Sequence, residues 1–347
     1  MRFSPFLTED ISLWKVNDMK RIKKLAALVS ALAVCLGLFS GCTYKDRPVV
    51  FYFGKNTSTI FEMAELECTE SEALVYLMNS KNIYGTVDGT NLWQEEFNTE
   101  VIETSLKDAV MSHLIKVFVL DLYAMEQGVT LNEEELSLIG QAAADYYDTM
   151  SDGEKLYTKI KGPEQIVPMY QHYALAEKIY KQMMASVDEE ISEDEARIME
   201  ALVLFVSERE KADEIKGMID YGYTFERLAG TYTELDSFRE TFGRGVYPES
   251  VDQVVFNLDT DEVSDMIEVD NGYYFFQCKS KYLVEESEAN KEIIIQKRRA
   301  AVYEDVMEST KGKYESRLYE ENWDRLTLKS EETIENAYFF ETLSKYL

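Results

Sequence analysis

Two histidines, His113 and His172, are the only imidazoles in 347 residues, which limits acid–base and metal chemistry from the outset. His113 falls among Leu106, Val110, Leu114, Val117 and Phe118, apolar positions that recur every three or four residues. That period predicts one helix face and a packed, hydrogen-bonded ring rather than a ligand. His172 lies off the stripe formed by Tyr173, Ala176, Ile179, Tyr180 and Met183, and is predicted to face solvent. The acidic run Asp259–Asp265 (DTDEVSD) lacks the glycine and the spacing of a calcium loop. No P-loop, G-x-G-x-x-G or G-x-S-x-G occurs. Aromatic chemistry is better represented. Asn271–Ser280 reads NGYYFFQCKS, an Asn-Gly turn followed by four aromatic residues. It predicts a strand in which Tyr274 either lines a pocket or fills a core.

The charge narrows the partners. The chain has 36 basic and 65 acidic residues; residues 42–347 hold 30 and 62 of them, a net of −32. No basic stripe is available to displace counterions from nucleic acid, so nucleic-acid binding is excluded. Adsorption to anionic lipid by charge alone is excluded too. The start of the chain supplies another route to a membrane. Residues 1–18 lack any period and are read as an over-extended start before Met19. Residues 19–41 carry Lys20, Arg21, Lys23 and Lys24 and then an apolar run from Leu25 to Phe39, the pattern of a secretory signal. Its end, LFSGC, resembles the bacterial lipoprotein cleavage box, with Phe39 where leucine is more usual. That resemblance implies a lipidated Cys42 as the first mature residue, anchored by buried acyl chains at roughly 0.8 kcal/mol per CH₂. Ordinary signal cleavage with a free Cys42 is the alternative. Of the remaining cysteines, Cys68 and Cys278 stand more than 200 residues apart and make no disulfide framework.

Stepping along the chain, Val49–Phe53 is a short β-type run, and Ile60–Ser80 turns helical. Glu95–Val119 predicts a stronger helix continuing to Gly128, a C-cap. Thr130 or Asn132 then caps another helix with acids in its first turn. A helix runs from Met169 to Ser186. Beyond Val187, Ala201–Val206 (ALVLFV) predicts a strand, Glu208–Tyr221 and Thr224–Tyr232 helices, and Ser250–Leu258 a short helix. Glu262–Val269 and Tyr273–Lys279 are strands about the Asn271-Gly272 turn. This β-α-α-α-β-β order makes one small α+β unit. Glu285–Glu321 is a long charged helix, and Trp323–Leu328 a candidate last strand. The predicted organisation is a helical domain over 42–190, an α+β domain over 191–284, and a C-terminal helix and tail over 285–347 that packs on the helical domain.

Lys211–Glu234 (KADEI…YGYTFERLAGTYTE) is similar to the helix–Gly–Phe–helix stretch of the parvulin prolyl isomerases, at Ala212, Ile215, Gly222, Phe225, Leu228, Ala229 and Tyr232. Val254–Lys281 is similar to the end of that domain, at Phe256, Leu258, Glu262, Val263, Ser264, Gly272 and Tyr273. Leu106–Leu136 resembles the chaperone domain of SurA-type and PrsA-type foldases. The ordered set resembles a PrsA-like extracytoplasmic foldase of a Gram-positive bacterium. The implied fold class is α+β: a mainly helical, SurA-N-like chaperone domain interrupted by a small parvulin-like domain, with a long helix returning.

Parvulins rotate an X-Pro bond over a barrier of about 18–20 kcal/mol and break no bond. The family uses one histidine on its first strand, one on its last, and an acid or thiol between them. Carried onto this sequence, the first histidine falls at Val203 and the last at Tyr274; the middle group could only be Glu234 or Asp236. The family's paired-glycine turn appears as SFRETFG, and the proline pocket maps to Tyr247 and Val251. The positions that set the fold match, and those that carry chemistry do not. The expectation is therefore a lipid-anchored chaperone on the outer face of the cell membrane. It would hold unfolded or nascent secreted polypeptides without cofactor or ATP, with a catalytically inactive parvulin-like domain. Val203, Tyr247, Val251, Tyr274 and Phe276 would form its peptide-binding wall. An active isomerase using Tyr274 and Asp236, or a scaffold lipoprotein without clients, are the alternatives. A homodimer is compatible with the sequence.

Overall fold

A computed structural model describes residues 58–87, 90–93, 99–330 and 333–347. Cys42, the signal segment and Val49–Phe53 lie outside them. The chain divides into two compact units: residues up to Ser186 with Val302–Leu347, and Val187–Ala301.

The first unit is helical around a small sheet. Strands β1 (Thr59–Met63) and β2 (Leu66–Thr69) form an antiparallel hairpin, and β1 also pairs with β9 (Ser316–Leu318). The sequence predicts helix across this hairpin. Here the apolar residues Ile60, Phe61 and Met63 belong to a strand whose partner β9 is supplied from about 250 residues away, a pairing no local period encodes. The helices are α1 (Glu70–Tyr84), α2 (Thr99–Glu126), α3 (Glu133–Thr149), α4 (Asp152–Thr158) and α5 (Val167–Ala185). Strands β3 (Thr86–Val87) and β4 (Thr90–Asn91) form a two-residue ladder after α1. Asn132 caps α3 through a capping box with Glu135. The stripe Tyr173, Ala176, Ile179, Tyr180 and Met183 is buried.

The second unit begins with a single turn, α6 (Glu193–Ala196), and β5 (Ile198–Val206). Helices α7 (Arg209–Asp220) and α8 (Phe225–Tyr232) follow, then β6 (Arg239–Gly243), α9 (Glu249–Val255), β7 (Ile267–Val269) and β8 (Gly272–Ser280). The four strands form one antiparallel sheet in the order β6-β5-β8-β7. Strand β5 is buried on both faces, which is why ALVLFV reads as a continuous apolar run. Leu202, Leu204 and Val206 meet α7 and α8; Met199, Ala201 and Val203 meet α9 and the loops beside it. The polar β6 occupies the SFRETFG stretch, read from sequence as loop, and only Ile267–Val269 of the predicted Glu262–Val269 strand is regular. At the β7–β8 turn a Cβ on Gly272 would stand 2.5 Å from the Val206 carbonyl oxygen, so only glycine fits there.

Helix α10 (Val284–Lys311) runs from the second unit into the first. Its N-terminal part belongs to the second because Ser287 Oγ accepts from Ile198 N at 2.9 Å, Asn290 donates to the Ala196 carbonyl at 3.0 Å and Arg298 reaches Glu195 at 2.7 Å. Trp323–Leu328 is not a strand; Trp323 lies buried in α11 (Glu320–Asp324), and the tail ends in α12 (Phe339–Leu343). No helix among the described residues is long and apolar enough to cross a membrane. Cys68 and Cys278 are buried free thiols.

Candidate functional site

Strand alternation puts Val203 and Phe205 of β5 on the same face as Tyr274 and Phe276 of β8. The register pairs Val203 with Phe276 and Phe205 with Tyr274. Tyr247, from the loop before α9, lies against this pair. Its ring stands 5.5 Å from Tyr274 and 5.2 Å from Phe276, both edge-on. Tyr274 and Phe276 stack at 5.6 Å, Phe205 packs on Tyr274 at 4.7 Å, and Phe242 on Tyr247 at 5.0 Å. These separations are in the range where aromatic pairs attract beyond simple burial.

The residues expected to form a binding wall thus share one face, but in two layers. Val203, Val251 and Phe276 are fully buried, so they form the floor and cannot touch a peptide. Tyr247 and Tyr274 are half-buried and are the two that a ligand can reach. Asp236 is exposed on the segment between α8 and β6. The carboxylate that enters the cluster is Glu240 on β6, which accepts a 2.5 Å hydrogen bond from the Tyr247 hydroxyl. The sequence hides it because the polar residues of β6 read as loop. The alternation of a strand would have placed Glu240 beside Phe242 on one face. Glu234, the other acid weighed from sequence, instead caps the end of β5, accepting from Ser207 N and Oγ at 3.2 Å.

The electrostatics bear on the two phenols of the cluster. Burial pushes the Tyr247 hydroxyl well above its ordinary range, helped by its bond to Glu240 and that group's charge. Burial and the Glu240 charge raise Tyr274 as well. Both phenols therefore stay protonated at neutral pH, able to donate a hydrogen bond but not to act as bases. No group of three or more His, Cys, Asp or Glu among the described residues could hold a metal.

Neither histidine joins this face. His113 packs edge-on against Tyr76 at 5.4 Å and beside Phe340 at 5.6 Å. It is packed as expected, but its Nε2 is buried without a hydrogen-bond partner, and burial drives its pKa down to about 3. His172 is not on a solvated face. Its side chain is 18 % exposed, with Nδ1 3.4 Å from Glu72 and Nε2 4.0 Å from Asp121. Burial opposes its charge, but the hydrogen bond and charge of Glu72, with the charge of Asp121, outweigh it and raise its pKa. Asp121 is raised to about 6, by burial first, with His172 opposing. The stripe pattern misplaces His172 because its ring packs edge-on against Phe118 of α2, between Asp121 of α2 and Glu72 of α1.

No family model matches the sequence, and no curated protein does. Solved structures do. The peptidylprolyl isomerase PrsA of Bacillus cereus is 18% identical, with 76% of this chain and 99% of that one covered at a TM-score of 0.35. The foldase PrsA of Streptococcus pneumoniae is 16% identical, with 76% and 98% covered at 0.29. A SurA-like chaperone of Campylobacter jejuni is 12% identical, with 75% and 98% covered at 0.25.

Proposed function

We propose that this protein is an extracytoplasmic chaperone, anchored by a lipid on Cys42, that binds unfolded secreted polypeptides and whose α+β unit holds peptide without catalysing isomerisation. The observation that carries the reading is the layered aromatic face. Two half-exposed tyrosines stand over a buried floor of Val203, Val251 and Phe276. Such a surface offers apolar area and stacking to many side chains, and hydroxyl groups to a peptide backbone. It offers no imidazole at either position where the resembled isomerases carry one. Glu240 favours cationic segments and disfavours anionic ones.

The test uses residues 43–347. The protein should suppress aggregation of a reduced, unfolding client at equimolar amounts, and should leave the rate of a proline-limited refolding reaction unchanged. Suppression lost on Tyr274→Ala with the fold retained supports the aromatic face as the site. A rate enhancement abolished by Tyr274→Phe overturns the inactive reading. No suppression favours a scaffold without clients. Cys42→Ala should release the protein from the membrane fraction of cells; retention sinks the lipid anchor.

A further inference from the structure

The helical unit holds a segment of its own chain in the way a receptor holds a peptide. Residues 333–338 have no regular secondary structure, and α12 is barely more than one turn. No ladder ties this segment down; side chains of three helices read its backbone instead. Glu154 of α4 accepts from both Glu335 N and Asn336 N at 2.8 Å. Asn82 of α1 donates to the Asn336 carbonyl at 3.0 Å, and Asn79 accepts from Phe339 N at 3.1 Å. The Tyr170 hydroxyl of α5 donates to the Phe339 carbonyl at 2.8 Å. Five main-chain groups are thus recognised without regard to sequence.

Two aromatic anchors add apolar contact. Phe339 stacks on Tyr170 at 4.5 Å and meets Tyr146 at 5.3 Å. Phe340 lies 4.8 Å from Tyr173 and 5.2 Å from Tyr76. The fit is incomplete in its polar part. The Tyr76 and Tyr146 hydroxyls, Asn79 Nδ2 and His113 Nε2 are buried around these rings with no hydrogen-bond partner. A segment built only as core would leave fewer such groups, because each costs free energy when its bond is unmade.

We propose that residues 334–347 are a releasable ligand held in cis, and that the groove they fill is a second site for an unfolded segment presenting free backbone and two adjacent large apolar side chains. This rests on the chaperone reading for the identity of the outside ligand. Release of the tail would open the groove, and a client would compete with the tail for it.

A protease site placed between Ser330 and Thr333 of the full chain allows the tail to be cut while it remains bound. The cut protein is then incubated with a labelled peptide of sequence IENAYFFETLSKYL, residues 334–347. One labelled peptide per chain should replace the tail with the near-ultraviolet signal retained, and the peptide carrying Phe339→Ala should bind about a hundredfold more weakly. Failure of the label to exchange overturns the proposal, as does unfolding when the tail leaves, because the segment is then fixed core. Aggregation suppression is measured on the uncut protein in parallel. Suppression without exchange removes the second site and leaves the chaperone reading standing. Exchange without suppression retains the groove and removes the chaperone.

Discussion

Both units gather tyrosine and phenylalanine into a cluster, yet the two clusters differ in what covers them. On the sheet face of the second unit, Tyr247 and Tyr274 stand half-exposed over a buried floor, and the Tyr247 hydroxyl is paired with Glu240. In the helical unit, Tyr76, Tyr146 and Tyr170 are wholly buried, and the cover is the chain's own C-terminal segment. Residue type does not separate a face left partly open from one that is covered. The separation comes from whether a further segment covers the rings, and the element that carries the open face and the segment that covers the closed one are held differently. Strand β8 is locked between β5 and β7, whereas Phe339 is held by its ring contacts with Tyr170, Tyr146 and Tyr76 and by two side-chain hydrogen bonds.

The largest expected effect tests that difference directly. Phe276→Ala should cost about 3–5 kcal/mol, because a fully buried ring in a fixed ladder leaves a cavity that cannot collapse. Phe339→Ala, equally buried, should cost less, since the loss is bounded by the free energy that docks the tail. Urea melts of the two variants decide it. Equal losses would erase the contrast and make the tail ordinary core.

Next is a pH effect confined to the helical unit. His113 has a folded pKa of about 3 against an unfolded value near 6.5. The unfolded state therefore binds more protons between those values, and stability falls as pH drops through that window. From pH 7 to pH 5 the loss is about 2 kcal/mol. Asp121, raised to about 6, works the other way: its contribution is greatest in acid and fades as pH rises from about 4 through 6. Comparison of wild type with His113→Phe isolates the first effect. The stability difference between the two should shift in favour of the variant on acidification, and a pH-independent difference would show that His113 is already solvated.

Much of this was legible in the sequence, for identifiable reasons. The α2 and α5 stripes survived because helix burial follows a local period, and the ALVLFV and NGYYFFQCKS strands because their apolar runs are dense. The grouping of Val203 with Tyr274 is implied by the resemblance to the parvulins and by no local period; the register of β5 on β8 puts them on one face. Three features were not legible. The β1–β2 hairpin depends on β9, far along the chain. Glu240 sits on a strand whose polar residues hide its type. The Phe339 anchor gives no periodic signal, since its segment is mostly irregular.

Tyr247→Phe is expected to act more modestly. It removes the hydroxyl that donates to Glu240, a charge-assisted bond at a half-buried site, and should cost about 1 kcal/mol. The ring contacts to Tyr274 and Phe276 remain. The variant should therefore keep client suppression while gaining salt sensitivity for cationic clients, because Glu240 is freed to face them. Suppression assays across an ionic-strength series read this out. Loss of suppression at every ionic strength would mean that the hydroxyl itself contacts the client.

Tyr274→Phe carries the smallest expected effect and the sharpest reading. The Tyr274 ring makes its contacts through Phe205, Tyr247 and Phe276, all of which phenylalanine preserves. Its hydroxyl is held protonated by burial and by the Glu240 charge. Stability should stay within about 0.5 kcal/mol of wild type, the range of substitutions away from special features. If the face only holds peptide, the variant should suppress aggregation as wild type does and should leave proline-limited refolding untouched. If the hydroxyl replaces the lost histidine of an isomerase, refolding catalysis should be present in the wild type and vanish in the variant. The two tyrosines would then be a working pair, and the contrast between an exposed holding surface and a covered one would give way to a contrast between an active site and a core.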